Sequence, residues 1–433
     1  MEIFESYKIG EICYLVNVNF SQKNSLNACI NELESLVSSA DFQMVGSMSI
    51  SRKYPDPKYF IGRGKVDELK HELHRVCANF VIFNHAISPS QERNLEEILE
   101  CKIINRTRLI LEIFSKRAKT HEGSLQVELA RLNYASTRLI KSWTHLERQK
   151  GGIGVRGGPG ETQLELDRRM VRDRISTVEA RLNKVRKQRA LSRNSRKKSQ
   201  TPTIAVVGYT NAGKSTLFNL LTGADVMAKD LLFATLDPTL RKVNIPALGE
   251  VVFSDTVGFI RNLPHSLINA FCSTLEEAVE ADLLLHVIDI SDDNYHDYIE
   301  QVNIVLQQIG ADNKPTINVY NKIDLVEGVQ ARTEKIKLDG LDNIYLSVKE
   351  DNGIQYLKNA IADYFNESWV YGFLTLPVTK AKVRASLYQL EVVQSERILD
   401  NGSFNLEIKI SQKDLENICL DNTLDIDVVF SQQ

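Results

Sequence analysis

Residues 203–216 read TIAVVGYTNAGKST, an apolar run followed by G-x-x-x-x-G-K-S from Gly208 to Ser215. Glycines at this spacing let backbone N–H groups turn inward around phosphates, and a helix beginning at the lysine adds its positive end. In such a loop Lys214 reaches the β- and γ-phosphates and the Ser215 hydroxyl ligates Mg²⁺. Nucleotide contacts are therefore expected from Gly208, Tyr209, Thr210, Asn211, Ala212, Gly213, Lys214, Ser215 and Thr216.

Three later stretches select the base and complete the phosphate site. VVFSDTVGF (251–259) is an apolar strand ending in Asp-x-x-Gly. Asp255 is expected to hold Mg²⁺ through water, and Gly258 to offer its N–H to the γ-phosphate. TINVYNKIDL (316–325) is a strand ending in N-K-x-D. A carboxylate at Asp324 can accept from guanine N1–H and the 2-amino group, which adenine lacks, so an unpaired acid would reject adenine. Asn321 braces that loop and the Lys322 stem covers the base. IYLSVK (344–349) adds Ser347, Val348 and Lys349 to the nucleotide contacts, with backbone N–H groups at Ser347 and Lys349 placed to meet the guanine O6. Together these imply a site for GTP and GDP.

Between the loop and Asp255 lies LFATLDPTL (232–240), where a switch segment should supply a threonine for Mg²⁺ and the γ-phosphate. Thr235 is the choice, with Phe233 beside it as a nucleotide contact; Thr239 is the weaker candidate, and either threonine also fits an ordinary turn. Lys214, Thr235 and Gly258 thus take the catalytic roles. Many GTPases orient the attacking water with a glutamine directly after the D-x-x-G glycine. Here that residue is Phe259, so slow intrinsic hydrolysis and an outside activator are expected. Asn211 has two readings: a ligand that helps hold K⁺ near the phosphates, or a brace for the loop.

GGIGVRGGPG (151–160) contains Gly152, Gly154 and Gly157 at the G-x-G-x-x-G spacing. A dinucleotide fingerprint needs a strand before it and a sheet-packing helix after it. STRLIKSWTHLERQK precedes this loop and the charged ETQLELDRRMVRDRI follows it, so a nicotinamide-linked oxidoreductase is excluded. Two readings remain, a plain flexible turn or an RNA-probing tip. In the second, Arg156 stacks on a base or clamps a phosphate, and Lys150, Arg168 and Arg169 add phosphate contacts. Residues 141–200 hold 17 Lys/Arg against 6 Asp/Glu in a chain of net charge -3, a local excess that suits a polyanion or a solvated helical face.

These residues need elements to carry them. The chain has 433 residues, 43% hydrophobic and 25% charged, enough for two to four domains with real cores. ICYLVNV (12–18) and FVIFN (80–84) read as strands; 24–39, 65–76 and 88–99 read as helices, the last capped by a serine. Leu125, Leu129, Leu132 and Leu139, then Leu164, Val171, Ile175, Val178, Leu182 and Val185, recur at helical spacing and predict a long helical hairpin. The fold class is α/β: a P-loop GTPase domain with a mostly parallel, doubly wound sheet, an N-terminal α/β subdomain with the hairpin, and a small C-terminal α/β domain. The predicted bounds are 1–118, 119–191 with the tip loop at 151–160, a polar linker at 192–202, 203–366 and 367–433. Cysteines 13, 29, 77, 101, 272 and 419 lack metal or disulfide spacing and suit a reducing cytoplasm. MEIFESYKIGEICYLV carries three acids and no basic region, unlike a secretory leader, and no run of 18 apolar residues spans a membrane.

GYTNAGKSTLFN, FATLDPT, DTVGFI and NKIDL resemble the GTPase domain of the HflX-type ribosome-associated GTPases. More specific are FIGRGKVDEL (60–69), RTRLILEIFSKRAKTHEGSLQVELA (106–130) and GGIGVRGGPGETQLELDRR (151–169), so the resemblance covers nearly the whole chain. SVK stands where Ser-Ala-Lys is commoner, which changes nothing made by backbone. The resemblance implies a monomeric, cytoplasmic, Mg²⁺-dependent GTPase, with at most peripheral membrane association. It further implies binding to the large ribosomal subunit and its rRNA, and GTP-dependent dissociation of stalled or stress-arrested ribosomes. Two rivals stand beside it. A GTPase attached to tRNA modification would want an activated C-terminal cysteine, and Cys419 in LENICLDN has no basic or His neighbour. An RNA-remodelling ATPase would need FIGRGK (60–65) to cradle a phosphate without the full loop spacing.

Overall fold

The computed structural model describes residues 10–20, 26–142, 163–198, 201–224, 231–246, 248–261, 272–335, 342–390, 392–399, 402–411 and 430–432, with Leu415 and Ile418. The chain divides into two compact units. The first takes residues 1–186 with 227–238 and 256–276; the second takes 187–226, 239–255 and 277–433.

The first unit is built on a four-stranded parallel sheet, β1 (Ile12–Asn19), β2 (Gln43–Ser51), β3 (Phe80–Phe83) and β4 (Lys102–Asn105), in the order β2-β1-β3-β4. Central strands of a parallel sheet are covered on both faces and read as continuous apolar runs. FVIF of β3 is buried at every position. The crossovers are helices α1 (Leu26–Ser39), α2 (Arg63–Val76) and α3 (Pro89–Leu99). Ser88 and Gln91 cap α3 reciprocally, which satisfies orphan N–H groups of its first turn. Val16, Val66, Leu69, Val81, Phe83, Leu95 and Ile103 form the core.

Helix α4 (Arg106–Arg117) follows β4 without a break, then α5 (His121–Ser142) and α6 (Gln163–Lys198). Leu125, Leu132, Val171, Val178 and Leu182 bury one another in a shared seam, with Leu129 and Ile175 packed on it. Buried ion pairs root α5: Arg138 pairs with Glu92 and Arg131 with Glu112, while Tyr134 Oη accepts from Asn105 Nδ2 at 2.8 Å. The predicted tip loop 151–160, with Lys150 and Arg156, lies outside the described residues.

Helix α6 continues to Lys198, seven residues into the stretch 192–202 predicted as a linker. The absence of an apolar period misled there. Once a helix is nucleated, Arg, Lys and Ser extend it at little cost per residue, and terminal Lys suits its dipole.

The second unit holds a seven-stranded sheet in the order β10-β11-β9-β8-β5-β7-β6. Its parallel centre is β5 (Thr203–Gly208), β7 (Gly249–Asp255), β8 (Leu283–Asp289), β9 (Thr316–Asn321) and β11 (Asp342–Tyr345), with antiparallel β6 (Thr239–Ile245) and β10 (Arg332–Lys335) at the edges. Register aligns Val206 with Asp255 and Asp289 with Asn321, so the strand ends carrying the predicted motifs meet at one edge of the sheet. Ligands of such sheets bind at those carboxyl ends. Helix α7 (Lys214–Thr222) leaves β5 through the phosphate loop. The helix Ile354–Ser368 runs into β12 (Trp369–Leu376), which belongs to an antiparallel sheet of order β13-β14-β12-β15. Its other strands are β13 (Val393–Ile398), β14 (Phe404–Ser411) and β15 (Phe430–Gln432), over a core of Leu374, Leu376, Val383, Leu387, Leu406 and Ile408.

Candidate nucleotide site

The loop after β5 requires both of its glycines. Gly208 sits at φ 147° and Gly213 at φ 97°, conformations other residues rarely adopt. A Cβ at Gly208 would collide with the carbonyl of Val287, and one at Gly213 with Asn321 Nδ2. Asn211 adopts φ 62°, which asparagine tolerates better than most side chains. The loop runs straight into the first turn of α7, whose N-terminal end suits an anion.

Lys214 is only 7% exposed, and its ammonium donates to the carbonyl of Tyr209 at 2.6 Å. Burial pushes its pKa down to about 8, against the attraction of Asp255. A phosphate would supply the counter-charge that this buried cation lacks in the loop itself. Ser215 Oγ donates to Asp255 Oδ2 at 2.8 Å, and Asp255 is fully buried at the end of β7. Two hard oxygen donors held together beside a phosphate cradle fit Mg²⁺. The ring of Tyr209 stacks on Tyr298 with centroids 4.2 Å apart, and Tyr298 Oη donates to Asp292 at 3.2 Å, which steadies the loop from outside.

The base-selecting motif is tied to the phosphate loop through one side chain. Asn321 Nδ2 donates to the Ala212 carbonyl at 2.9 Å, and Asn321 Oδ1 accepts from the Val348 N–H at 3.1 Å. Val348, predicted as a nucleotide contact, donates its N–H to Asn321. Ser347 Oγ donates to Asp324 Oδ1 at 2.6 Å, which aims the carboxylate. Lys322 takes φ 65° and pairs with Asp289 at 2.6 Å. Lys349 is exposed beside them.

Sequence reasoning missed Asp289, Tyr298 and His286. Asp289 had a weak signal, an acid ending an apolar strand of a parallel sheet. His286, inside β8, is kept neutral: burial and the Lys214 charge push its pKa down to about 4.

Phe233, Thr235 and Gly258 belong to the first unit rather than to the unit of the loop. The Phe233 ring is buried edge-on against Phe114 at 4.6 Å, so its side chain is an anchor and only its backbone is left for a nucleotide. Phe259 is 2% exposed. On α6, Arg168 is half-buried and Arg169 exposed.

A parallel sheet with this loop, Asp255 and an N-K-x-D strand end bracing each other defines a P-loop GTPase. Residues 27–115 match the family described as GTP-binding GTPase N-terminal, 117–196 the GTP-binding GTPase middle region, and 203–322 the 50S ribosome-binding GTPase. The chain is 48% identical to GTPase HflX of Escherichia coli (strain K12) over 96% of its own length and 97% of that relative. It is 49% identical to GTPase HflX of Caldanaerobacter subterraneus over 80% of its length and 79% of the relative's. A GTP-binding protein from Sulfolobus solfataricus, solved with GDP, covers 82% of this chain and 98% of its own at 22% identity and a TM-score of 0.44. The protein belongs to the GTPase HflX family, and the GTP hydrolysis of that family is its activity.

Proposed function

We propose that this GTPase acts on ribosomes: it binds the large subunit through rRNA contacts and dissociates stalled or stress-arrested ribosomes. The observation that carries this is the match of residues 203–322 to a family described as a 50S ribosome-binding GTPase, set in a chain related to GTPase HflX over 96% of its length. The buried phenyl ring of Phe259 supports it, because the residue after Gly258 has no group to orient water. Lys214 and the loop N–H groups bind and orient the phosphates, Asp324 selects guanine, and the large subunit completes the water-positioning site. Ser215 and Asp255 would hold Mg²⁺ directly and through water, with Thr235 as a further direct ligand; the ion would neutralise charge on the phosphate oxygens. Asn211 would help hold K⁺ in the same region. Lys150 and Arg156, with Arg168 and Arg169 on α6, would contact RNA at the tip of the hairpin. The working partition is 1–118, 119–191, 203–366 and 367–433, a monomer in the cytoplasm; among the described residues no helix is long and apolar enough to cross a membrane.

The test is the GTP hydrolysis rate with and without purified large subunits. A rise of about tenfold or more, about 1.4 kcal/mol off the barrier, is expected. An unchanged rate would move the activator to tRNA or to a protein and would sink this reading.

A further inference from the structure

Thr235 sits in a short segment that the first unit holds on both sides. Upstream, the Leu232 N–H donates to Ser39 Oγ at 2.9 Å, and Phe233 adopts φ 56° with its ring buried against Phe114. A bulky residue in the left-handed region is strained, and burying its ring offsets that strain. Downstream, the Asp237 carboxylate accepts from the N–H groups of Lys119 at 2.8 Å and Thr120 at 2.9 Å, and from the Thr120 hydroxyl. Thr120 is itself the cap of α5: its Oγ1 accepts from the Gly123 N–H at 2.9 Å. The approach is so close that a Cβ at Gly123 would collide with Asp237. Pro238 then leads directly into β6, which pairs with β7 and Asp255.

We propose that Asp237 is a positioning residue for Thr235, through which the N-terminal unit sets the preference for GTP over GDP. Resting on the reading of Thr235 as the γ-phosphate sensor, the inference gives its ordering a source within the chain. A switch segment that must be ordered by the nucleotide spends binding energy on backbone entropy. Here Ser39, Phe114 and Thr120 order the segment beforehand, so the γ-phosphate finds Thr235 presented. Linkage makes the effect reciprocal: a clasp that favours GTP is itself tightened by GTP. The clasp ends on the cap of α5, the helix leading to the glycine-rich stretch 151–160. Nucleotide state is thereby passed to the root of the hairpin without a further moving part.

The test uses the full-length protein and compares affinities for GDP and a non-hydrolysable GTP analogue in Gly123→Ala, Asp237→Ala and Thr235→Ala. Gly123→Ala is the informative variant, since alanine favours the helix while its methyl group displaces Asp237. Losing one such cap should weaken the analogue about fivefold in Gly123→Ala and Asp237→Ala, with GDP within about twofold. Amide exchange at Lys119, Thr120 and Gly123 should be slower with the analogue than with GDP. Equal losses for both nucleotides, or tighter analogue binding in the two clasp variants, would overturn the proposal. Thr235→Ala should abolish the preference. If it does not, the sensor reading fails and the clasp falls with it; if it does while the clasp variants keep the preference, the clasp alone fails.

Discussion

Asn321 is the side chain on which the geometry of the nucleotide site turns, and Asn321→Ala measures that. Its amide is almost fully buried and makes two hydrogen bonds, to the Ala212 carbonyl and from the Val348 N–H. Alanine leaves both backbone groups without a partner in a place water reaches poorly. An unsatisfied buried backbone group costs about 1 to 3 kcal/mol, so the pair costs about 2 to 6. Partial water entry favours the lower half, about 3 kcal/mol, or about two orders of magnitude in a binding constant. Because the links join the phosphate loop to both base-selecting loops, the loss should fall on GTP and GDP alike. The nucleotide-free protein, whose loops can part and admit water, should lose much less in urea unfolding, so that the cost falls on binding. The isosteric Asn321→Asp separates volume from hydrogen bonding: it keeps an acceptor for Val348 but sets an anionic oxygen against the Ala212 carbonyl, and should be no better than alanine. GDP affinity within about threefold of the parent in both variants, where about a hundredfold is expected, would refute the bracing argument.

Two further predictions follow from charges in the same site. Lys214 has a folded pKa near 8 against an ordinary value of 10.5, so the unfolded chain binds more protons between those values. Its burial therefore costs the nucleotide-free protein most below pH 8, and stability recovers as pH rises from 8 towards 10.5. Lys214→Met should raise the unfolding midpoint of the nucleotide-free protein at pH 7, with the advantage shrinking above pH 8, while GTP binding is lost; a pH-independent difference would contradict the burial argument. Asp324→Asn replaces an acceptor-only carboxylate with an amide whose NH2 meets the guanine 2-amino donor, so guanine affinity should fall by about 10²-fold or more and xanthine nucleotides, which carry a carbonyl acceptor at that carbon, should gain relative to guanine. Competition titrations showing an unchanged order would end the assignment of Asp324.

The loop after β5 was legible because its backbone allows so few residues. Gly208 and Gly213 stand where a Cβ cannot, Lys214 and Ser215 open a helix, and Asp255 and Asn321 end central strands, the first holding the apolar run VVF and the second alternating as TINVYN. The hairpin seam was legible for a similar reason, since Leu125, Leu132, Val171, Val178 and Leu182 obey a period. Edge strands were not. QMVGSMSIS of β2 is half-exposed and mixes Gly and Ser with Met and Ile, so neither alternation nor a continuous run marks it. β4 is only KIIN, four residues that a helix follows at once. Tyr298 and Asp289 are common residue types that reach the site through partners far away in sequence, Tyr209 and Lys322.

The choice of partner by the 231–238 segment was hidden for that same reason, and it changes what the GTPase domain is. The motifs mark 203–366 as one domain, and by motif Thr235 belongs to it. By contact, Leu232, Phe233 and Asp237 belong with Ser39, Phe114 and Thr120, and Arg261, after Gly258, accepts at its carbonyl from Arg106 at 2.9 Å. Arg106 is held in turn by Glu32 at 2.6 Å, so the segments that follow the phosphate loop and Asp255 each end on charged or polar anchors of the N-terminal unit. A chain cut at 203 would keep the whole of the Asn321 bracing and lose every one of those anchors. The bracing through Asn321 is therefore built within one unit, while the 231–238 segment and Arg261 are anchored in the other.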